Sequence, residues 1–101
     1  MAIGWYVGKV KRGKVAQAQA LLKLRGLEVS NPRILVPRQS HSRWEDLFPG
    51  YLFCHLDPSC TQHWPDVLWT PSFRYFLPQN ATPVPLNDQA MEEIWNGVEE
   101  W

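Results

Sequence analysis

Two short apolar runs set the limits on what this chain can fold into. Ile3 to Val10 (IGWYVGKV) and Tyr51 to Leu56 (YLFCHL) are apolar, aromatic or β-branched stretches of only eight and six residues. That composition suits largely buried strands, and the runs are too short for core helices. Between them Lys14 to Arg25 is rich in Ala, Gln, Leu and Lys, all good helix formers, and Gly26 stands where a helix end favours a left-handed residue. Val15, Ala18 and Leu22 follow the spacing of a core-facing stripe. Lys14, Gln17, Leu21 and Arg25 form a neighbouring stripe that can face a partner.

The remaining segments fill in around this frame. Leu27 to Val36 alternates around Pro32, whose missing amide hydrogen suits an edge or interrupted strand. Gln39 to Glu45 reads as a polar loop. Phe48-Pro49-Gly50 is a turn signal, and Asp57-Pro58 ends the strand that it feeds. Ser59 is placed to cap a short helix or turn through Trp64, which Pro65 would stop. Phe73 to Leu77 makes a further strand. Pro78 to Pro85 holds three prolines and cannot be helical. Asn87 or Asp88 caps a last helix, with Met91, Ile94, Trp95 and Val98 on its apolar face and Glu92, Glu93 and Glu99 on its wet one. The order β-α-β-β-α-β-α predicts an α+β domain, a mainly antiparallel four-stranded sheet flanked by helices.

Composition narrows the functional classes. A chain of 101 residues, 45% hydrophobic and 20% charged, has the profile of one folded core and not of a disordered segment. Net charge is zero, yet Met1 to Arg43 carries nine basic residues against one acid and Trp44 to Trp101 the reverse, +8 and −8. Such segregation suits an anionic partner for the first half, or mutual attraction of the two halves. No run of about 18 apolar residues is present to span a bilayer, and the first residues lack the pattern of a secretory signal. A cytoplasmic protein without membrane contact is expected, with Cys54 and Cys60 as free thiols. Gly-rich phosphate loops, nucleophile elbows and His-Glu metal motifs are absent from the sequence, so no enzyme is indicated.

Trp5-Tyr6-Val7, Lys11-Arg12-Gly13-Lys14 before a helix, and Asp46-Leu47-Phe48-Pro49-Gly50-Tyr51-Leu52-Phe53 together resemble the N-terminal domain of the NusG family. Trp69-Thr70-Pro71-Ser72-Phe73 and Pro83-Val84-Pro85-Leu86 extend the resemblance over nearly the whole chain. Lys11-Arg12-Gly13 and Asp57-Pro58 look closer to its specialised RfaH-like paralogues. The resemblance implies one domain over residues 1–101, monomeric and without cofactor. It also implies a C-terminal KOW barrel outside this sequence, and Glu99-Glu100-Trp101 would then begin the linker of a longer protein from which this piece is trimmed.

What the resemblance implies for function is a transcription elongation and antitermination factor. Such a factor grips the clamp helices of the largest RNA polymerase subunit, closes the clamp and suppresses pausing. Tyr51 and Phe53 are two apart on one strand and so share a face, opposite Leu52 and Cys54. With Leu52 and Cys54 in the core, Tyr51 and Phe53 become a surface aromatic patch bordered by Phe48 and Met91; the plain alternative is that both aromatics are core. Thr61 to Trp64, with His63 and Trp64, matches the segment that reaches the opposite jaw of the polymerase. Lys11, Arg12 and Lys14, gathered at a helix N-terminus, suit phosphate, and the resemblance makes that ligand the non-template DNA strand, with Gln17 and Thr70 as further contacts. Leu21 and Pro71 stand where RfaH-like proteins place polar or basic residues.

Two rivals have residues behind them. Cys54, His55, Cys60 and His63 have the residue types of a zinc quartet, although adjacent Cys54 and His55 on one strand point to opposite faces. A stand-alone RNA-binding domain would use the basic half and the aromatic strands, but the ribonucleoprotein signature is absent from the sequence. Trp5 and Trp69 are expected in the core and Trp101 on the surface.

Overall fold

The computed structural model describes residues 3–37, 39, 41–79 and 81–97, with 95–97 described by main chain alone. The Trp95 side chain, Val98 and Trp101 therefore lie outside the described residues. Among the described residues nine elements follow in order: β1 (Gly4–Val10), α1 (Val15–Leu24), β2 (Glu28–Ser30), β3 (Arg33–Pro37), β4 (Ser42–Asp46), β5 (Tyr51–Leu56), α2 (His63–Leu68), β6 (Phe73–Phe76) and α3 (Asp88–Gly97). Four strands form one sheet in the order β2-β5-β1-β6, and every neighbouring pair is antiparallel. This is the α+β architecture expected from the element order.

Strand alternation sorts the side chains. Tyr6 and Val10 of β1 and Leu52, Cys54 and Leu56 of β5 point to one face, where Val15, Ala18 and Leu22 of α1 and Val67 of α2 close the core over them. Register pairs Tyr6 with Cys54 and Val7 with Phe53, so neighbouring positions serve opposite faces. Gly8 makes room for this packing: a Cβ there would stand 2.5 Å from the Phe73 ring. Gly26 ends α1 at φ +83, and the Leu27 N–H donates back to the Leu22 carbonyl. That is the left-handed cap its position suggested.

The segment Leu27–Val36 divides into two strands. β2 joins the main sheet, whereas β3 pairs with β4 in a separate hairpin from Arg33↔Asp46 to Pro37↔Ser42. Asn31-Pro32 makes the break, and the Pro32 carbonyl accepts the Leu47 N–H at 2.8 Å to close the hairpin's base. Ser42 to Asp46, expected within a polar loop, is therefore a strand. β3 and β4 pack chiefly against each other, so Ser42 to Asp46 carries no apolar alternation to mark it.

Further expectations are corrected in the second half. The Ser59 hydroxyl donates to Asp57 Oδ1 at 2.6 Å and caps no helix. α2 starts at His63 and runs through Pro65; in the first turn a proline's missing N–H costs nothing. Trp69 is 80% exposed rather than core. Trp64 is the indole that packs inward, stacked on Phe76 at 4.4 Å and edge-on to Tyr6 at 5.6 Å. Trp5 is half-buried, 5.2 Å from the His55 ring and bridged to Leu86. Asn87 caps α3, its Oδ1 accepting the Ala90 N–H at 2.7 Å.

Candidate functional site

The face of the sheet that α1 does not cover carries an apolar cleft of about 270 Å³. Its floor comes from odd-numbered strand positions, Val7 of β1 and Tyr51 and Phe53 of β5, with Leu77 just past β6. Phe48, Leu86 and Ile94 complete the walls. The turn at Phe48-Pro49-Gly50 folds Phe48 back over the strand it precedes, so its ring lies 5.6 Å from that of Phe53. Gly50 permits this with φ +82, a conformation that costs glycine nothing. At the open end Lys9 Nζ sits 4.6 Å over the Tyr51 ring, a cation–π contact that steadies the ring and sets a positive charge at the rim.

Each residue expected at the polymerase surface now has a place. Tyr51 is half-buried in the cleft and Phe48 is 37% exposed at its edge. Phe53 is only 3% exposed, because Phe48 covers it; it is the floor and not a protruding anchor. Met91 is buried and does not line the cleft, whereas Ile94, almost one turn later, does. His63 Nδ1 accepts the Asp57 N–H at 3.0 Å, and Trp64 lies against the core. The i, i+3 spacing of Trp64 and Val67 turns both toward the sheet, so Trp64 packs inward and is only partly exposed.

The residues expected at DNA divide similarly. Lys11, Arg12, Lys14 and Gln17 are exposed around the start of α1. Lys14 occupies the cap position without a side-chain hydrogen bond, and the first turn carries no acid. Thr70 is 5% exposed, and its hydroxyl donates to the Asp66 carbonyl at 2.7 Å as part of the turn after α2. That buries it away from any strand passing over the surface. The four zinc candidates also separate: Cys54 is in the core, His55 on the opposite face and His63 engaged by Asp57. Among the described residues no three His, Cys, Asp or Glu side chains gather around one point.

Val7, Leu77, Leu86 and Ile94 were missed from sequence. Val7 and Leu77 share the parity of Phe53, and the alternation that exposed Tyr51 could have found them. Trp69, exposed just after α2, was expected in the core because a lone indole reads as core.

The fold and the cleft together define a small α+β domain with one face of its sheet closed by helices and the other open to apolar side chains. The family model described as "Transcription termination factor nusG" matches residues 4–95. The chain belongs to the NusG family, a family of transcription factors and not of enzymes. Among solved structures it superposes on that described as "Domain interaction in Thermotoga maritima NusG" with a TM-score of 0.62 and 24% identity. The likeness, one of fold, covers 97% of this chain and 59% of the Thermotoga chain, so this sequence spans less than two thirds of that protein. No match was found among curated proteins. No helix among the described residues is long and apolar enough to cross a membrane.

Proposed function

We propose that this domain is the N-terminal, polymerase-holding part of a transcription elongation and antitermination factor, seating the clamp helices of the largest RNA polymerase subunit in the apolar cleft. The observation that carries the reading is the cleft itself, roofless, lined by Val7, Phe48, Tyr51, Phe53 and Ile94 and free of polar lining surface. Side chains projecting from a helical hairpin fit such a groove, since a helix presents apolar residues at i, i+3 and i+4 to a complementary hollow. Tyr51→Ala should weaken binding to an isolated clamp-helix fragment by about 2 kcal/mol or more, the loss expected of a central aromatic anchor. Unchanged affinity in a folded Tyr51→Ala domain would remove the cleft from this role.

The same reading places the non-template DNA strand over Lys11, Arg12, Lys14 and Gln17, all exposed where α1 begins. Each true phosphate contact contributes about 0.7 to the salt slope of single-strand binding. Lys11→Gln, Arg12→Gln and Lys14→Gln together should therefore flatten that slope by about 2, measured by oligonucleotide titration across salt concentrations; an unaltered slope would show these residues to be a solvated face only. Clamp closure and pause suppression follow from holding two jaws at once, which shifts the enzyme's conformational population without chemistry. The segment Thr61 to Trp64 at the start of α2, with Thr61 and Gln62 exposed and His63 and Trp64 partly so, supplies a surface for the second jaw. The kinship of Lys11-Arg12-Gly13 and Asp57-Pro58 with RfaH-like paralogues rests on those residues alone.

A further inference from the structure

We propose that the β3–β4 hairpin extends the basic surface of α1 into a stacking seat for one base of a single-stranded nucleic acid, with the Trp44 indole as its platform. This rests on the DNA reading above and adds to it a residue and a mode of contact on a different element.

Two hollows meet at the base of the hairpin. A furrow of about 470 Å³ runs from Arg12 and Gly13 at the head of α1 to Arg33, Asp46 and Pro49. A second hollow of about 400 Å³ shares those last three residues and continues to Arg43 and Trp44. The surface is thus unbroken from the start of α1 to the hairpin. Trp44 pairs in register with Leu35, and both side chains are more than one third exposed on one face of the hairpin. Trp44 keeps 38% of its surface exposed on this ribbon, beside Leu35 at 41%, which leaves part of the indole open to a partner.

The surroundings tie down the backbone beneath the platform, and their positive charge lies toward α1. Arg33 Nη2 donates to the Trp44 carbonyl at 3.3 Å, while Arg33 Nε lies 3.3 Å from Asp46 Oδ1, which also accepts Asn31 Nδ2 at 3.3 Å. The one carboxylate shared by both hollows is therefore matched by a guanidinium and an amide. Arg12 stands exposed at the α1 end of the track, whereas at the hairpin end Arg43 is offset by Glu45, both lining the hollow from strand positions that alternate with Trp44, so the net positive charge lies toward α1. Asn31, whose side-chain amide donates to Asp46, contributes to the furrow wall. Phosphates along an arginine-marked groove and a base on an aromatic face are the two parts of sequence-tolerant single-strand binding.

The test titrates the chain with a single-stranded DNA of about twelve nucleotides by fluorescence anisotropy. Trp44→Ala should weaken binding about tenfold with an unchanged salt slope, because stacking involves no counterion release, and Trp44→Phe should retain most of the affinity. With the wild-type chain, a single abasic nucleotide moved along the strand should produce a comparable loss at one register, and Trp44→Ala should abolish that dependence. The proposal is overturned if Trp44→Ala binds the oligonucleotide as the wild type does while the Lys11, Arg12 and Lys14 triple variant binds more weakly. It is equally overturned if abasic substitution has no effect at any register, or if Trp44→Ala loses polymerase and keeps DNA, which would assign the indole to a protein partner. Should the triple variant also bind normally, the DNA reading itself fails and the stacking seat with it.

Discussion

Tyr6→Ala is expected to lower the unfolding free energy by about 3–5 kcal/mol, as for other large aromatic side chains removed from cores. Tyr6 is fully buried at the centre of β1, opposite Cys54, and its ring meets Trp64 of α2 and Phe76 of β6 edge-on. Removing it strips the contacts that fasten α2 to the sheet as well as the burial of one ring. A typical domain is stable by about 5–15 kcal/mol, so the variant would keep only part of its margin. Urea titration followed by circular dichroism measures the effect, with Tyr6→Phe as the control that keeps the ring. Val7, the next residue, lies on the cleft floor, so loss of the β1–β5 pairing would dismantle the binding face too. A Tyr6→Ala domain as stable as the wild type would contradict the core described here.

The second large effect is alkaline. Burial pushes the Cys54 thiol up to about 12 from an ordinary value near 9, because a thiolate in the core would lose its hydration. Burial also raises the Tyr6 phenol above its usual value. For both groups the folded state keeps a proton that the unfolded chain releases. Their contribution is complete below about pH 9 and is lost as pH climbs toward about 12, at about 1.4 kcal/mol per unit for the thiol. Between about pH 8 and about pH 11 the urea midpoint should fall by the equivalent of roughly 3 kcal/mol. Cys54→Ala should be less stable at neutral pH and distinctly flatter across that window. An equally steep decline in Cys54→Ala would assign the alkaline loss to other groups.

Much of the fold was legible because burial writes a period into the sequence. The alternation in Tyr51–Leu56 correctly separated Leu52 and Cys54 from Tyr51 and Phe53, and the 3.6-residue spacing of Val15, Ala18 and Leu22 located the buried face of α1. The β3–β4 hairpin escaped because neither strand is pressed against a core, so Ser42–Asp46 carries charge where a buried strand would alternate. The cleft was half legible. Parity found its two aromatics but not that Phe48 would fold down and bury Phe53, since that depends on how the Gly50 turn directs the chain. Met91 and Ile94 sit almost a turn apart on one apolar face, and only the packing of α3 decides which of them meets the cleft. Composition alone could not distinguish Trp64 from Trp69, because an indole is buried only where a neighbour such as Phe76 is placed to receive it.

The division of labour along β5 also makes the domain a scaffold that can be re-targeted. Leu52, Cys54 and Leu56 carry the packing, while Tyr51, together with Val7, Phe48, Leu86 and Ile94 from other parts of the chain, shapes only the open hollow. A combinatorial library confined to those cleft positions would vary the contact chemistry and leave the core's jigsaw intact. Related sequences can diverge in the same way, altering what the hollow accepts through a handful of side chains on an unchanged frame.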